Sequence, residues 1–169
     1  MSDRPPVDAG ARRAALDDVL AQLARTMEQL ETAVAAFAPD FAVEAFSAAW
    51  YSDDPQVRNE AMLVRSNMDD LHNLCMSLIA LSVRVAQDAG TIPADRKTPA
   101  AEHLRAQGLY PADAESVMNE LGDLRNSSQH EYWIVEPREV HAAVAGQRRH
   151  LPAFIAALAE WLERLPFRG

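Results

Sequence analysis

A short polar string is the part of this sequence whose residue types suit chemistry on a phosphate group. It reads Arg-Asn-x-x-x-His-x-Tyr and contains Arg125, Asn126, His130 and Tyr132. A guanidinium is always charged and can hold a phosphodiester, and an imidazole that titrates near neutrality can move protons beside it. We therefore predict RNA cleavage, with Arg125, Asn126 and His130 as the catalytic residues.

The spacing of the string indicates that one copy of it is not a complete site. Arg125 precedes His130 by five positions, about 140° around a regular helix, whereas Asn126 and His130 share a face. A twofold dimer would bring two copies together in one cleft. One His130 would then take the proton of the ribose 2′-hydroxyl, and the other would protonate the departing 5′-oxygen. Arg125 would hold the phosphate, and Asn126 would orient the imidazole or a phosphate oxygen.

A purely structural interpretation of the same residues is also open. Arg125 would pair with Asp123 or another acidic neighbour, and His130 would cap the end of its helix. Tyr132 and Trp133 would then close the hydrophobic core. In that case the string would stabilise the fold and carry no chemistry.

The string resembles the signature of the HEPN superfamily (higher eukaryotes and prokaryotes nucleotide-binding domains). In that signature an Arg, usually followed by a polar residue, precedes a His by four to six positions. The tyrosine two places after the histidine narrows the likeness to the HepT-like toxins, which are encoded beside small nucleotidyltransferase antitoxins. The resemblance covers roughly residues 57–165. For the acidic residue often found in the long middle helix of that family, this chain offers Asp69 or Asp70.

The resemblance implies a dimeric, metal-independent endoribonuclease that needs no cofactor. It also implies a nucleotidyltransferase antitoxin as partner, with Tyr132 as the residue to which that enzyme adds AMP. The alternative is a catalytically inactive HEPN module that serves as a dimeric binding partner of a nucleotidyltransferase. The polar residues 127–129 and the acidic surface favour this second interpretation.

The formal net charge of −9 opposes diffuse binding to nucleic acid, because sequence-independent affinity for phosphates comes from cationic side chains. We therefore expect no DNA partner. Residues 121–169 are balanced, however, with six basic and six acidic side chains. Arg138, Arg148 and Arg149 in this third are candidates for contacting RNA near Arg125, or else are solvated helix charges.

Cysteine and histidine usage favours a cytoplasmic protein without a metal. Cys75 is the only cysteine, so the chain has no intramolecular disulfide and no thiol cluster. The five histidines are His72, His103, His130, His141 and His150, and no two are spaced as a metal-binding pair. His72 lies beside the apolar stripe of its helix, where a structural and a functional role are both open. We expect no leader peptide and no membrane span.

Apolar periodicity predicts an all-α fold, a HEPN-like bundle of four main helices with additional short helices in a single domain over 1–169. The predicted long helices cover 11–37, 56–89, a segment opened by Pro111 that carries the string, and a last segment to Leu165. Short helices are expected over 41–51 and 98–108, and residues 1–10 are expected to be flexible. The stripe of the first helix also allows a coiled-coil seam, although its alanine-rich flanks favour packing inside a bundle.

Capping residues define several of these boundaries. Asp54 followed by Pro55 is a typical helix start, and Gly90 is a natural C-terminal stop. Pro152 falls inside the last apolar pattern. Because a proline removes one helical hydrogen bond, we predict a kink near His150 or a new helical start there.

Overall fold

A computed structural model describes residues 9–95, 97–126 and 135–166 in full and residues 127–130 as backbone. This part of the chain contains six α-helices and no strand, so the predicted all-α class is confirmed. The helices are α1 (Ala9–Ala35), α2 (Val43–Trp50), α3 (Pro55–Asp88), α4 (Ala100–Ala106), α5 (Ala112–His130) and α6 (Pro137–Glu163). Residues 1–8 of the segment predicted to be flexible lie outside the described ranges, whereas Ala9 and Gly10 are helical. None of the six helices has the length and apolar character that crossing a bilayer requires.

The apolar stripe of α1 is an internal packing surface. Leu16 and Leu23 are fully buried, and Leu30 and Val34 are nearly so. These side chains pack α1 along α3 of the same chain, as the bundle interpretation predicts. Each fully buried leucine contributes roughly 1.5–3 kcal/mol relative to an exposed one.

The central helix α3 begins and ends where its capping residues predict. The side chain of Asp54 accepts a hydrogen bond of 2.9 Å from the backbone N–H of Gln56, and Pro55 occupies the first turn. After Asp88 the chain turns at Gly90, whose φ of 72° is accessible to glycine at little cost. Helix α3 packs against each of the other helices, so its ends determine the frame of the bundle.

The predicted break at Pro152 is wrong in one respect, since no new helix starts there. Helix α6 is continuous from Pro137 to Glu163 with Pro152 inside it. A proline within a helix costs about 3 kcal/mol, because it removes a hydrogen bond and crowds the preceding turn. Leu151, Phe154 and Leu158 are almost fully buried and extend the buried face that begins at Val140. Burial of this one continuous face offsets the cost of the proline.

Helix α5, which carries the polar string, packs closely against α6 because Gly146 of α6 has no side chain. A Cβ at Gly146 of α6 would lie 3.2 Å from a methyl carbon of Val117 on α5. At Gly122 of α5, in contrast, a Cβ would meet nothing closer than 3.9 Å. Close packing of α5 against α6 therefore requires a glycine at position 146 and not at position 122.

We predict that Gly122→Ala and Gly146→Ala have different effects on the free energy of unfolding. Alanine in a helix interior is favoured over glycine by roughly 0.5–1 kcal/mol, so Gly122→Ala should stabilise the protein by about that amount. Crowding against Val117 should cancel or reverse this gain for Gly146→Ala.

Denaturant unfolding of both variants in the wild-type and Val117→Ala backgrounds measures this difference. In the Val117→Ala background, Gly146→Ala should recover the stabilisation. If the two glycines respond alike in the wild-type background, the close contact of α5 with α6 is not as described.

Candidate functional site

The polar string lies on the last turns of a regular helix. Helix α5 runs to His130, so Arg125, Asn126 and the backbone of His130 all belong to it. Helix α5 ends at His130, so the described part of the string is helical throughout. The angular separation of about 140° between Arg125 and His130 therefore applies to this chain. Tyr132, the predicted modification site, lies outside the described residues.

Arg125 and Asn126 line an open groove between α3 and α5. Its volume is about 540 Å³. Its lining includes two residues of α3, His72 and Met76, and six of α5, Met118, Asn119, Gly122, Asp123, Arg125 and Asn126. Asn126 is exposed and Arg125 is partly buried. Two of the three predicted catalytic residues thus meet at one concave surface.

Helix α3 places Asp69 within the electrostatic influence of Arg125. Burial raises the pKa of the Asp69 carboxyl, and the positive charges of Arg65 and Arg125 oppose that effect. Asp70 instead lines a different groove, beside Arg25 of α1. Of the two acidic candidates in the sequence, Asp69 is therefore the one associated with Arg125.

His72 is the second titratable group that responds to Arg125. Its side chain is only 7% exposed, and its Nδ1 atom has no hydrogen-bond partner in the described part of the chain. Burial lowers the pKa of His72, the charge of Arg125 lowers it further, and a hydrogen bond to the Met118 backbone acts in the opposite direction. The imidazole is therefore neutral at physiological pH.

The sequence left the role of His72 open, although one signal pointed to it. Asp69 and His72 are three positions apart and share one face of α3. That pattern alone did not associate them with Arg125. The association depends on how α3 and α5 are rotated against each other, which is a property of the packed bundle.

The three other candidate arginines lie on α6, apart from the residues that line the Arg125 groove. Arg148 forms a bidentate ion pair with Glu31 of α1. Its Nε donates to Oε1 at 2.7 Å and its Nη2 donates to Oε2 at 2.8 Å. Its charge is thus already neutralised by a carboxylate, which explains why the pKa of Arg148 is raised. Arg138 and Arg149 are exposed.

Two further histidines, His141 and His150, contact residues of other helices or loops and lie outside the lining of the Arg125 groove. His141 stacks on the ring of Phe41, and its Nε2 lies 2.6 Å from the Phe41 carbonyl oxygen. His150 lies 3.8 Å from a carboxylate oxygen of Asp113. Within 9–95, 97–126 and 135–166, no three His, Cys, Asp or Glu side chains converge closely enough to hold a metal ion.

Comparison with protein-family models, curated proteins and solved structures finds no match to this chain. The resemblance to HepT-like proteins therefore depends on the string and its flanks alone. The groove geometry stands independently of that resemblance.

We predict that Arg125→Ala raises the pKa of both Asp69 and His72. Removing a nearby positive charge makes the carboxylate harder to form and the imidazolium easier to form, so both groups hold their protons to higher pH. NMR titration of the carboxyl carbon and of the imidazole ring measures the two shifts.

The matched control is Arg148→Ala, which removes a cation already paired with Glu31. It should leave both pKa values unchanged. If Arg125→Ala also leaves them unchanged, the charge of Arg125 does not act on these two groups as described.

Proposed function

We propose that this protein is a metal-independent endoribonuclease toxin of the HepT-like type. The observation that supports this most is the groove between α3 and α5. There the guanidinium of Arg125 adjoins the carboxamide of Asn126, at the end of the helix that also carries His130. These are the groups needed to hold a phosphodiester and to move protons around it.

The catalytic unit in this proposal is a twofold homodimer. One helix holds Arg125 and His130 about 140° apart, so two copies of α5 are needed to surround one phosphate. The His130 of one protomer removes the proton from the ribose 2′-hydroxyl, and the 2′-oxygen attacks the adjacent phosphorus. The His130 of the other protomer protonates the departing 5′-oxygen. The products are a 2′,3′-cyclic phosphate and a 5′-hydroxyl.

Arg125 stabilises the negative charge that develops on the phosphate oxygens in the transition state. A guanidinium can donate two parallel hydrogen bonds to a phosphate, which fixes its orientation as well as its position. Asn126 lies next to it and orients the imidazole or a phosphate oxygen. The site is local, because the net charge of −9 gives the chain no general attraction for nucleic acid.

A second candidate function has its own observation in favour. Asp69 and the exposed Asp123 place carboxyl groups beside Arg125. Such carboxylates repel a phosphate backbone, and they suit a protein that binds a partner through this surface. In this alternative the chain is a catalytically inactive HEPN module that binds a nucleotidyltransferase as a dimer.

We predict that Arg125→Ala and His130→Ala each reduce RNA cleavage strongly. Loss of one proton-transfer group lowers the rate by about 10² to 10⁴. Arg125→Ala should change the free energy of unfolding by less than about 1 kcal/mol, because Arg125 is not one of the buried core residues. Cleavage of a labelled RNA, with circular dichroism on the same samples, measures both quantities.

The controls remove the same residue types away from the string, at the residue that follows α6 and within α6. Arg164→Ala takes away an exposed arginine paired with Glu160, and His150→Ala takes away an imidazole near Asp113. Both variants should cleave normally, and EDTA should not inhibit the wild type. Full activity in His130→Ala, or loss of activity on chelation, would contradict the acid–base mechanism. Absence of cleavage in the wild type would favour the binding module.

We predict that mixing wild-type and His130→Ala protein tests the shared site. If both histidines are required, only dimers of two wild-type protomers cleave, and an equal mixture retains about a quarter of the activity of a wholly wild-type sample at the same total protein concentration. Independent protomers would retain about half. Sedimentation should give a dimer at micromolar concentration, and a strictly monomeric protein would rule out the shared site.

We further propose that a nucleotidyltransferase partner regulates the protein by adding AMP to Tyr132. The phosphate of the attached AMP would compete with RNA for Arg125. Intact-mass measurement after incubation with ATP and that enzyme should show one adduct on the wild type and none on Tyr132→Phe. The control is Tyr51→Phe, which removes a 65% exposed tyrosine and should keep the adduct. Equal adducts on the wild type and Tyr132→Phe would exclude this site.

A further inference from the structure

A pocket outside the proposed catalytic site lies where α1, α3 and α6 meet. Helices α1 and α6 each pack against α3 but make hardly any direct contact with each other, which leaves a space between them. The volume of the pocket is about 180 Å³. Folded interiors seldom leave voids larger than a water molecule, so a space of this size can accommodate a ligand.

The interior of the pocket is apolar. Met27 and Leu30 of α1 form one wall, Leu71 of α3 forms a second, and Pro152 of α6 contributes its ring. Leu30 and Leu71 are each only 2% exposed, so the inner part of the pocket is shielded from solvent. Apolar cavities of about 150 Å³ stay dry and accept molecules of the size of benzene. The pocket therefore has the size and the lining that suit one aromatic ring.

The side chains of α6 leave this space unfilled. Gln147, which also belongs to the lining, is fully buried, and its amide nitrogen donates a hydrogen bond of 3.0 Å to the Met68 carbonyl of α3. This bond holds the long side chain of Gln147 against α3. Pro152 carries only a compact ring and cannot extend across to α1.

The rim of the pocket has an excess of negative charge. Glu28 and Glu31 of α1 line it together with Arg148 of α6. Arg148 and Glu31 pair with each other and span the distance between the two helices. Glu28 forms no ion pair within the described part of the chain, so one carboxylate at the rim remains uncompensated. A cation is therefore favoured over an anion here.

We propose that this pocket binds a small amine whose apolar body is about the size of one aromatic ring. The ring enters the space between Met27, Leu30 and Leu71, and the ammonium group stays at the rim, where Glu28 and Glu31 accept its hydrogen bonds. No covalent bond changes. No residue of this pocket lines the Arg125 groove, so the proposal is independent of RNA cleavage.

The two parts of such a ligand have different roles in binding. Burial of the ring supplies most of the affinity, because transfer of apolar surface out of water is favourable. The rim is open to water, and an exposed charge pair changes a binding constant by only about 1.5- to 5-fold. The carboxylates therefore determine which head group is preferred, and added salt should weaken that preference.

The probes are benzylamine, benzyl alcohol and benzoate, which share one ring and differ in the charge of the head group at neutral pH. Titration of the full-length protein at low ionic strength should give the tightest binding for the amine and the weakest for the carboxylate. Each step should be about 1.5- to 5-fold. Equal affinities for all three probes, or tightest binding of benzoate, would overturn the proposal of an amine ligand.

NMR of isotope-labelled methionine methyl groups in the wild type tests where the ring binds. Saturating benzylamine should shift the Met27 methyl signal through the ring current and give nuclear Overhauser contacts to it. The internal control is Met76, which is 50% exposed on α3 and lines the Arg125 groove instead. Its signal should not change. Bound benzylamine that leaves the Met27 methyl signal unchanged would show that the ligand lies elsewhere and would refute the proposal.

A substitution that fills the pocket provides a second test of its location. Met27→Trp places an indole in the space that the ligand needs, so binding of benzylamine should be lost. The matched control is Met76→Trp, which adds the same ring outside the pocket and should bind as the wild type does. Wild-type affinity in a folded Met27→Trp protein would contradict the proposal.

Removal of both carboxylates tests the origin of the selectivity. The double variant Glu28→Gln/Glu31→Gln leaves Arg148 as the remaining charge in the pocket lining, so benzoate should now bind more tightly than benzylamine. Glu44→Gln/Glu163→Gln changes the net charge by the same amount at residues outside the lining and should keep the wild-type order. If the order of affinities stays the same in the Glu28→Gln/Glu31→Gln protein, the rim charges do not select the ligand and the proposal is wrong.

Discussion

The position of Arg125 depends on how one apolar stripe of α5 is buried between α3 and α6. Ala114, Met118 and Leu121 are buried along that stripe, and Val117 meets the bare backbone of Gly146 on α6. Because a helix with one buried face cannot rotate without exposing it, this packing fixes the direction in which the opposite face points. Arg125 emerges at the edge of the buried face, over α3.

The surroundings of Arg125 contain an acidic group, Asp69, and a basic group, His72, and the charge of Arg125 favours the charged form of the first and disfavours that of the second. Burial penalises both charged forms. In such partly desolvated surroundings a new charge changes the protonation of its neighbours more than it would at an exposed surface.

Arg125 and Arg148 have identical side chains but different tertiary neighbours. Arg148 is held by both carboxylate oxygens of Glu31 and connects α6 to α1. A guanidinium in this geometry is oriented by two parallel hydrogen bonds and contributes to the packing of the fold. Arg125 borders the groove between α3 and α5, with amides beside it. Arginines that are equivalent in the sequence thus have different neighbours in the folded chain.

The sequence was sufficient to predict most of the helices, because apolar period, capping residues and glycine stops are local signals. It predicted the all-α class, the Asp54-Pro55 signal that precedes a long helix over 56–89, and the apolar stripe of α1. It also indicated Arg125 and Asn126 as a candidate site. It left open whether the last helix kinks near His150 or a new helix starts there, and the burial of one continuous face keeps α6 a single helix. Three features follow from the packing of the helices and not from local sequence. They are the association of Asp69, rather than Asp70, with Arg125, the pairing of Arg148 with Glu31, and the approach of His72 to Arg125. Each depends on the rotation of one helix against another, which is set by packing between residues far apart in the chain.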